Sequence, residues 1–194
     1  DNPTGTYVTS KEVSEFMEGL PGSVIVFFDE AYYEFGRVRK DFPNTMKYLN
    51  RGNVIIARTF SKAYGLSGIR LGYAVADAGL ISYMEKIREP FNVNLLAQVA
   101  AVAALDDKAH LRKTLAMVAQ GRKLLTRELQ KMNVRVIATE TNFILADLGR
   151  DAGAIYEKLL KKGVIVRPMA VWGLKNFIRV TIGRPLENKR FLAT

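Results

Sequence analysis

The chain has 194 residues, 48% of them hydrophobic, which suits one domain or one and a half with a substantial core. The absence of cysteine excludes a disulfide framework and a thiolate metal site, and the single histidine, His110, excludes a histidine metal cluster. The formal charge of +10 fits nucleic acid or small anions as partners. However, the basic residues are scattered, the densest group being Arg37, Arg39 and Lys40, so nucleic-acid binding is not expected.

Residues 1–5, Asp-Asn-Pro-Thr-Gly, are no signal peptide, and no apolar run is long enough to cross a membrane, so a cytoplasmic protein is expected. Residues 10–17 predict a helix behind Thr9 or Ser10 as N-cap. Residues 24–28, 54–57 and 72–76 are short apolar runs without alternation, which predicts strands buried on both faces. A further helix over 80–88 stops before Pro90. The first hundred residues therefore read as α/β.

Residues 95–105 are alanine-rich and apolar nearly all round, which predicts a buried helix. Residues 108–132 carry Leu111, Leu115, Val118, Leu125 and Leu129 at helical spacing, a long helix suited to bridging two domains. Strands over 134–137, 143–148, 164–167 and 177–182, with a helix over 152–162, predict a small α+β domain. The expected domains are residues 1–107 and 108–194. Asn2-Pro3-Thr4-Gly5 is a turn of the kind that follows a strand, and a helix begins at Glu187 close to Thr194. Both features lead us to expect a fragment, or a chain whose other half is absent.

Three groups of residues carry chemistry. Asp29 ends the first apolar run, where ligands bind in open α/β sheets, and Tyr32 follows three residues later. A carboxylate there suits a protonated pyridine nitrogen, although Asp29 taken alone reads better as a cap of the next helix, with Tyr32 packing nearby. Lys62 follows the second run; a sheltered lysine loses its proton more easily and attacks an aldehyde. Thr59, Ser61 and Arg70 offer hydroxyls and a guanidinium fork to a phosphate, and the intervening glycines match no dinucleotide or P-loop pattern.

Taken together, Asn2-Pro3-Thr4-Gly5, Asp29-Glu30-Ala31-Tyr32 and the stretch from Ser61-Lys62-Ala63-Tyr64-Gly65 to Arg70-Leu71-Gly72 resemble the fold-type-I aminotransferases, in order and in spacing. The resemblance implies the carboxyl-terminal half of the cofactor-binding large domain, with a mostly parallel sheet, followed by the small α+β domain. It implies pyridoxal 5'-phosphate as cofactor, carried by Lys62 as an aldimine. Asn2 and Tyr32 would meet the ring oxygen, Asp29 the ring nitrogen, and Thr59, Ser61 and Arg70 the phosphate.

Val166-Arg167-Pro168-Met169, Thr141-Asn142-Phe143 and Phe177-Ile178-Arg179-Val180-Thr181 resemble the histidinol-phosphate aminotransferases in particular. Trp172 stands where that family more often has tyrosine. By this resemblance Arg179 would clamp the carboxylate of glutamate or 2-oxoglutarate, with Arg167 and Asn142 assisting at the phosphorylated amine. The enzyme would be a homodimer of histidine biosynthesis working by ping-pong transamination. Threonine-phosphate decarboxylases and broad amino-acid aminotransferases share the pattern, and an inactive fragment or binding module is the alternative that is not an enzyme.

Overall fold

Three strands organise residues 8–112 of the computed structural model, which describes residues 1–194. β1 (Val26–Asp29) pairs in parallel with β2 (Val54–Thr59), and β2 pairs antiparallel with β3 (Gly72–Ala76). The register sets Asp29 opposite Ala57 and Thr59 opposite Gly72. Helix α1 (Ser10–Glu18) starts at Thr9, whose hydroxyl accepts from the Glu12 amide while the Glu12 carboxylate accepts from the Thr9 amide. Val13 and Met17 of α1 close on Val26, Val54 and Ile56. Each such buried side chain is worth roughly 1.5–3 kcal/mol, so this cluster holds the helix to the sheet. A single turn, α2 (Tyr33–Gly36), follows β1; α3 (Ala78–Ile87) and α4 (Leu95–Asp106) follow β3.

Two burial expectations fail here. Only β2, the central strand, is buried or half-buried throughout; β1 alternates, with Phe27 58% exposed, and β3 opens exposed at Gly72 and Tyr73. β1 and β3 are the edges of a three-stranded sheet, and the buried cluster of α1 forms on the side of Val26, Val54 and Ile56. Helix α4 is not a buried helix either. Ala97 and Ala101, one turn apart, are its buried residues, while Leu95, Leu96, Val99 and Val102 are exposed. Hydropathy around a helix states what it is able to bury, not which neighbours this chain supplies.

Residues 1–7 and 113–194 form the second unit. α5 (Lys108–Lys131) runs from one unit into the other. β4 (Arg135–Val136), β5 (Phe143–Asp147), β6 (Arg167–Met169) and β7 (Leu174–Thr181) form an antiparallel sheet in the order β4-β5-β7-β6. α6 (Ala152–Lys161) and α7 (Pro185–Ala193) complete the unit. Its buried residues include Val118, Leu125 and Leu129 of α5, Phe143, Ile144 and Leu145 of β5, and Ile178 and Val180 of β7.

The first residues belong here because Gly5 holds them. Its carbonyl accepts from the Glu140 amide at 2.8 Å, and its φ of +81° is one that side chains resist. The strand expected over 164–167 lies instead over 167–169, since the chain after α6 first turns through Gly163. No helix is long and apolar enough to cross a membrane.

Candidate active site

At the carboxyl ends of β1 and β2 the chain leaves the sheet, and six of the predicted residues lie in these stretches. Asp29 is the last residue of β1 and is exposed, its Oδ1 accepting from the Ala31 amide at 3.0 Å. Tyr32 begins α2. Thr59 ends β2; its Oγ1 accepts from the Ser61 amide at 3.0 Å and donates to the Leu71 carbonyl at 3.4 Å.

Residues 60–71 form a closed loop. The Phe60 amide donates to the Leu71 carbonyl, and the Leu66 amide donates back to Phe60. Phe60 and Ala63 are buried, which seats the loop against the sheet. Lys62 is half-buried between them, its Nζ 5.6 Å from the centroid of the Tyr32 ring. Arg70 takes a left-handed conformation, φ 57°, uncommon for any residue but glycine, and its guanidinium donates to the Ser67 carbonyl at 2.8 Å. Leu71, next to Arg70, is the residue that Thr59 and Phe60 bond.

The segments at this end of the sheet therefore carry a carboxylate, a primary amine over an aromatic ring, two hydroxyls and a guanidinium. An acid suits a protonated ring nitrogen, an amine an aldehyde, and hydroxyls with a fork of N–H donors a phosphate. The donor set fits a phosphorylated heteroaromatic aldehyde.

Beneath the site lies a group that the motifs do not disclose. Glu30 and Arg58 form an ion pair at 2.8 Å, with their side chains 7% and 17% exposed. The buried Thr45 hydroxyl donates to the other Glu30 oxygen at 2.5 Å, and the Arg58 guanidinium lies 3.5 Å from the Tyr33 ring centroid. Burial pulls the Arg58 pKa down, but the hydrogen bond and charge of Glu30 outweigh it and leave the pKa raised. Glu34 is also buried, and burial raises its carboxyl pKa. The available signal was positional: strand alternation puts residues 30 and 58 on the face opposite 29 and 59.

The other four predicted residues lie in the second unit. Arg167 and Arg179 are register partners on β6 and β7, so both project from one face of the sheet. With Tyr156, Ile165, Val171 and Thr181 they line a cavity of about 420 Å³ that has no acidic residue in its wall. Arg179 lies over the Phe143 ring, and its guanidinium donates to Oδ1 of Asn2. Arg167 lies over Trp172. Asn142 accepts from the Ile182 amide through its carbonyl and is not among the residues lining the cavity. The arginine cavity suits an anion, and its apolar walls favour an organic one.

The sequence matches the aminotransferase class I and II family over residues 1–194. It is 44% identical over 193 residues to histidinol-phosphate aminotransferase 2 of Carboxydothermus hydrogenoformans, covering 99% of this chain and 53% of that protein. It is 45% identical over 194 residues to histidinol-phosphate aminotransferase of Moorella thermoacetica, covering 99% and 50%. The fold superposes with a TM-score of 0.92 on histidinol-phosphate aminotransferase from Sinorhizobium meliloti, solved in complex with pyridoxal-5'-phosphate. That match has 33% identity and covers 100% of this chain and 54% of that one. The chain spans about half the length of these relatives.

Proposed function

The chain belongs to the aminotransferase class I and II family, and from that membership we propose that it provides the lysine-bearing part of a histidinol-phosphate:2-oxoglutarate aminotransferase dependent on pyridoxal 5'-phosphate. The observation that carries the reading is Lys62 Nζ standing 5.6 Å over the Tyr32 ring, beside the strand end that bears Asp29.

When bound, pyridoxal 5'-phosphate supplies an aldehyde and a ring that accepts electrons. The chain's own residues do the rest. Lys62 would bind the aldehyde, and its amine, once free, would take a proton from the substrate Cα and return one. Asp29 would keep a proton on the ring nitrogen, and Tyr32 and Asn2 would hydrogen-bond the ring oxygen. Thr59, Ser61 and Arg70 anchor the phosphate, so that the ring does not leave with the product. Arg179 clamps the carboxylate of glutamate or 2-oxoglutarate in one half-reaction, and Arg167 and Asn142 assist with the phosphorylated amine in the other. The same reading makes the protein a cytoplasmic homodimer of histidine biosynthesis.

Reduction with borohydride in the presence of pyridoxal 5'-phosphate, followed by peptide mapping, tests the proposal. The label is expected on Lys62. No label at Lys62, even with the remaining half of a full-length relative supplied, would overturn it.

A further inference from the structure

Asp29 and Thr59 both lie at the point where the strands stop. β1 has only four residues, and past Asp29 and Thr59 the chain goes into turns and the loop of residues 60–71. Short strand ends fray, so something must fix the two residues relative to each other. One position further on β1, the Glu30 amide still donates to the Ala57 carbonyl at 2.9 Å. Its side chain crosses to Arg58, which precedes Thr59, at 2.8 Å.

Both carboxylate oxygens of Glu30 are occupied. One Glu30 oxygen takes Arg58 and the other takes the Thr45 hydroxyl. Arg58 lies on the Tyr33 ring and hydrogen-bonds Tyr73, its register partner on β3. The pair thus ties together β1, β2, β3 and the start of α2. An apolar pair of similar volume would often give equal stability, because removing two charges from water offsets most of their attraction. Stability is therefore a poor reason for a buried ion pair at this place, and geometry a better one.

We infer that Glu30 and Arg58 are positioning residues: their pair sets the ends of β1 and β2 in register and thereby fixes where Asp29 stands relative to Thr59 and Ser61, as the cofactor needs. The role toward the cofactor rests on the function proposed above.

The test replaces the pair by apolar residues, Glu30→Met with Arg58→Leu, in the full chain. Three quantities are read: melting temperature, amide exchange by NMR, and borohydride labelling of Lys62 with pyridoxal 5'-phosphate. The melting temperature is expected to stay near that of the unsubstituted chain. The amides of Ala31 and Ser61, which bond Asp29 and Thr59, are expected to exchange about tenfold faster while Ile55 and Ile56 keep their protection, and labelling is expected to fall about tenfold.

Unchanged exchange at Ala31 and Ser61, or acceleration spread evenly along β2, overturns the inference. Unchanged labelling in the variant overturns the role toward the cofactor. An unsubstituted chain that never labels at Lys62 even with the remaining half of a full-length relative supplied, with selective loosening in the variant, supports the positioning role and counts against the proposed function alone. Should the double variant not fold, Arg58→Lys, which keeps the charge and loses the fork, is read in the same way.

Discussion

Arg167 and Arg179 face each other across β6 and β7 as register partners, at the wall of a cavity with no acid in it. Two like charges placed opposite each other on a sheet destabilise it by some tenths of a kcal/mol, and an anion between them removes that cost. Stacking on Trp172 and Phe143 keeps both guanidiniums ordered without neutralising them. We therefore expect 2-oxoglutarate or inorganic phosphate to raise the melting temperature beyond sodium chloride of equal ionic strength. Arg179→Lys retains the charge but loses the bidentate fork, which is expected to weaken the anion about tenfold, or about 1.4 kcal/mol. An identical response of the lysine variant would remove Arg179 from the anion site.

Gly5→Ala is expected to loosen residues 1–7 from the sheet they join. A Cβ at position 5 would stand 2.1 Å from the Thr139 hydroxyl, and Thr139 is itself locked to Thr141 and the Phe143 carbonyl. The φ of +81° adds a further penalty. Together these should cost about 2 kcal/mol or more in denaturant unfolding. A midpoint unchanged from the parent chain would mean that the amino terminus contributes nothing to the unit.

Thr9→Ala removes one arm of the capping box of α1, the helix that closes the Val54 and Ile56 cluster. The expected loss is about 1 kcal/mol, and Thr9→Ser should restore it because the serine hydroxyl makes the same bond. Equal stability of the alanine and serine variants would show that water caps α1 equally well.

The outline of this structure was legible from local signals, and its partnerships were not. The Thr9 cap, the strands ending at Asp29 and Thr59, and the helices over 108–131 and 152–161 are written in residues close together in the chain. Lys62 stands out because the residues around it carry one chemistry in a fixed order. Glu30 and Arg58 do not, because a charged residue beside an apolar run reads as a solvated end, and their meeting depends on a pairing across 28 positions. The exposed flank of α4 is the opposite case. Its apolar residues predict burial, and what a helix buries against is decided by long-range packing that no local window contains.

Glu34 gives a prediction whose sign follows from burial. Its carboxyl pKa lies above the usual carboxylate range, first because the group is buried; the charges of Arg58 and Arg37 offset part of this, and Glu30 adds to it. An acid whose folded pKa exceeds its unfolded one favours the folded state while it is neutral. That contribution is complete below the unfolded carboxyl pKa and is lost as pH rises through the raised folded value. Glu34→Gln stays neutral throughout. Relative to the parent chain, the variant is therefore expected to gain stability across that window, with a constant difference above it, as urea unfolding at a series of pH values will show. Tyr64 offers an independent check: burial raises its pKa first, and the charge of Glu34 raises it next. In Glu34→Gln the Tyr64 phenol should ionise at lower pH, which selective isotope labelling of tyrosine reads directly. Parallel stability curves together with an unmoved Tyr64 titration would show that burial does not raise the Glu34 carboxyl and that its charge does not act on Tyr64.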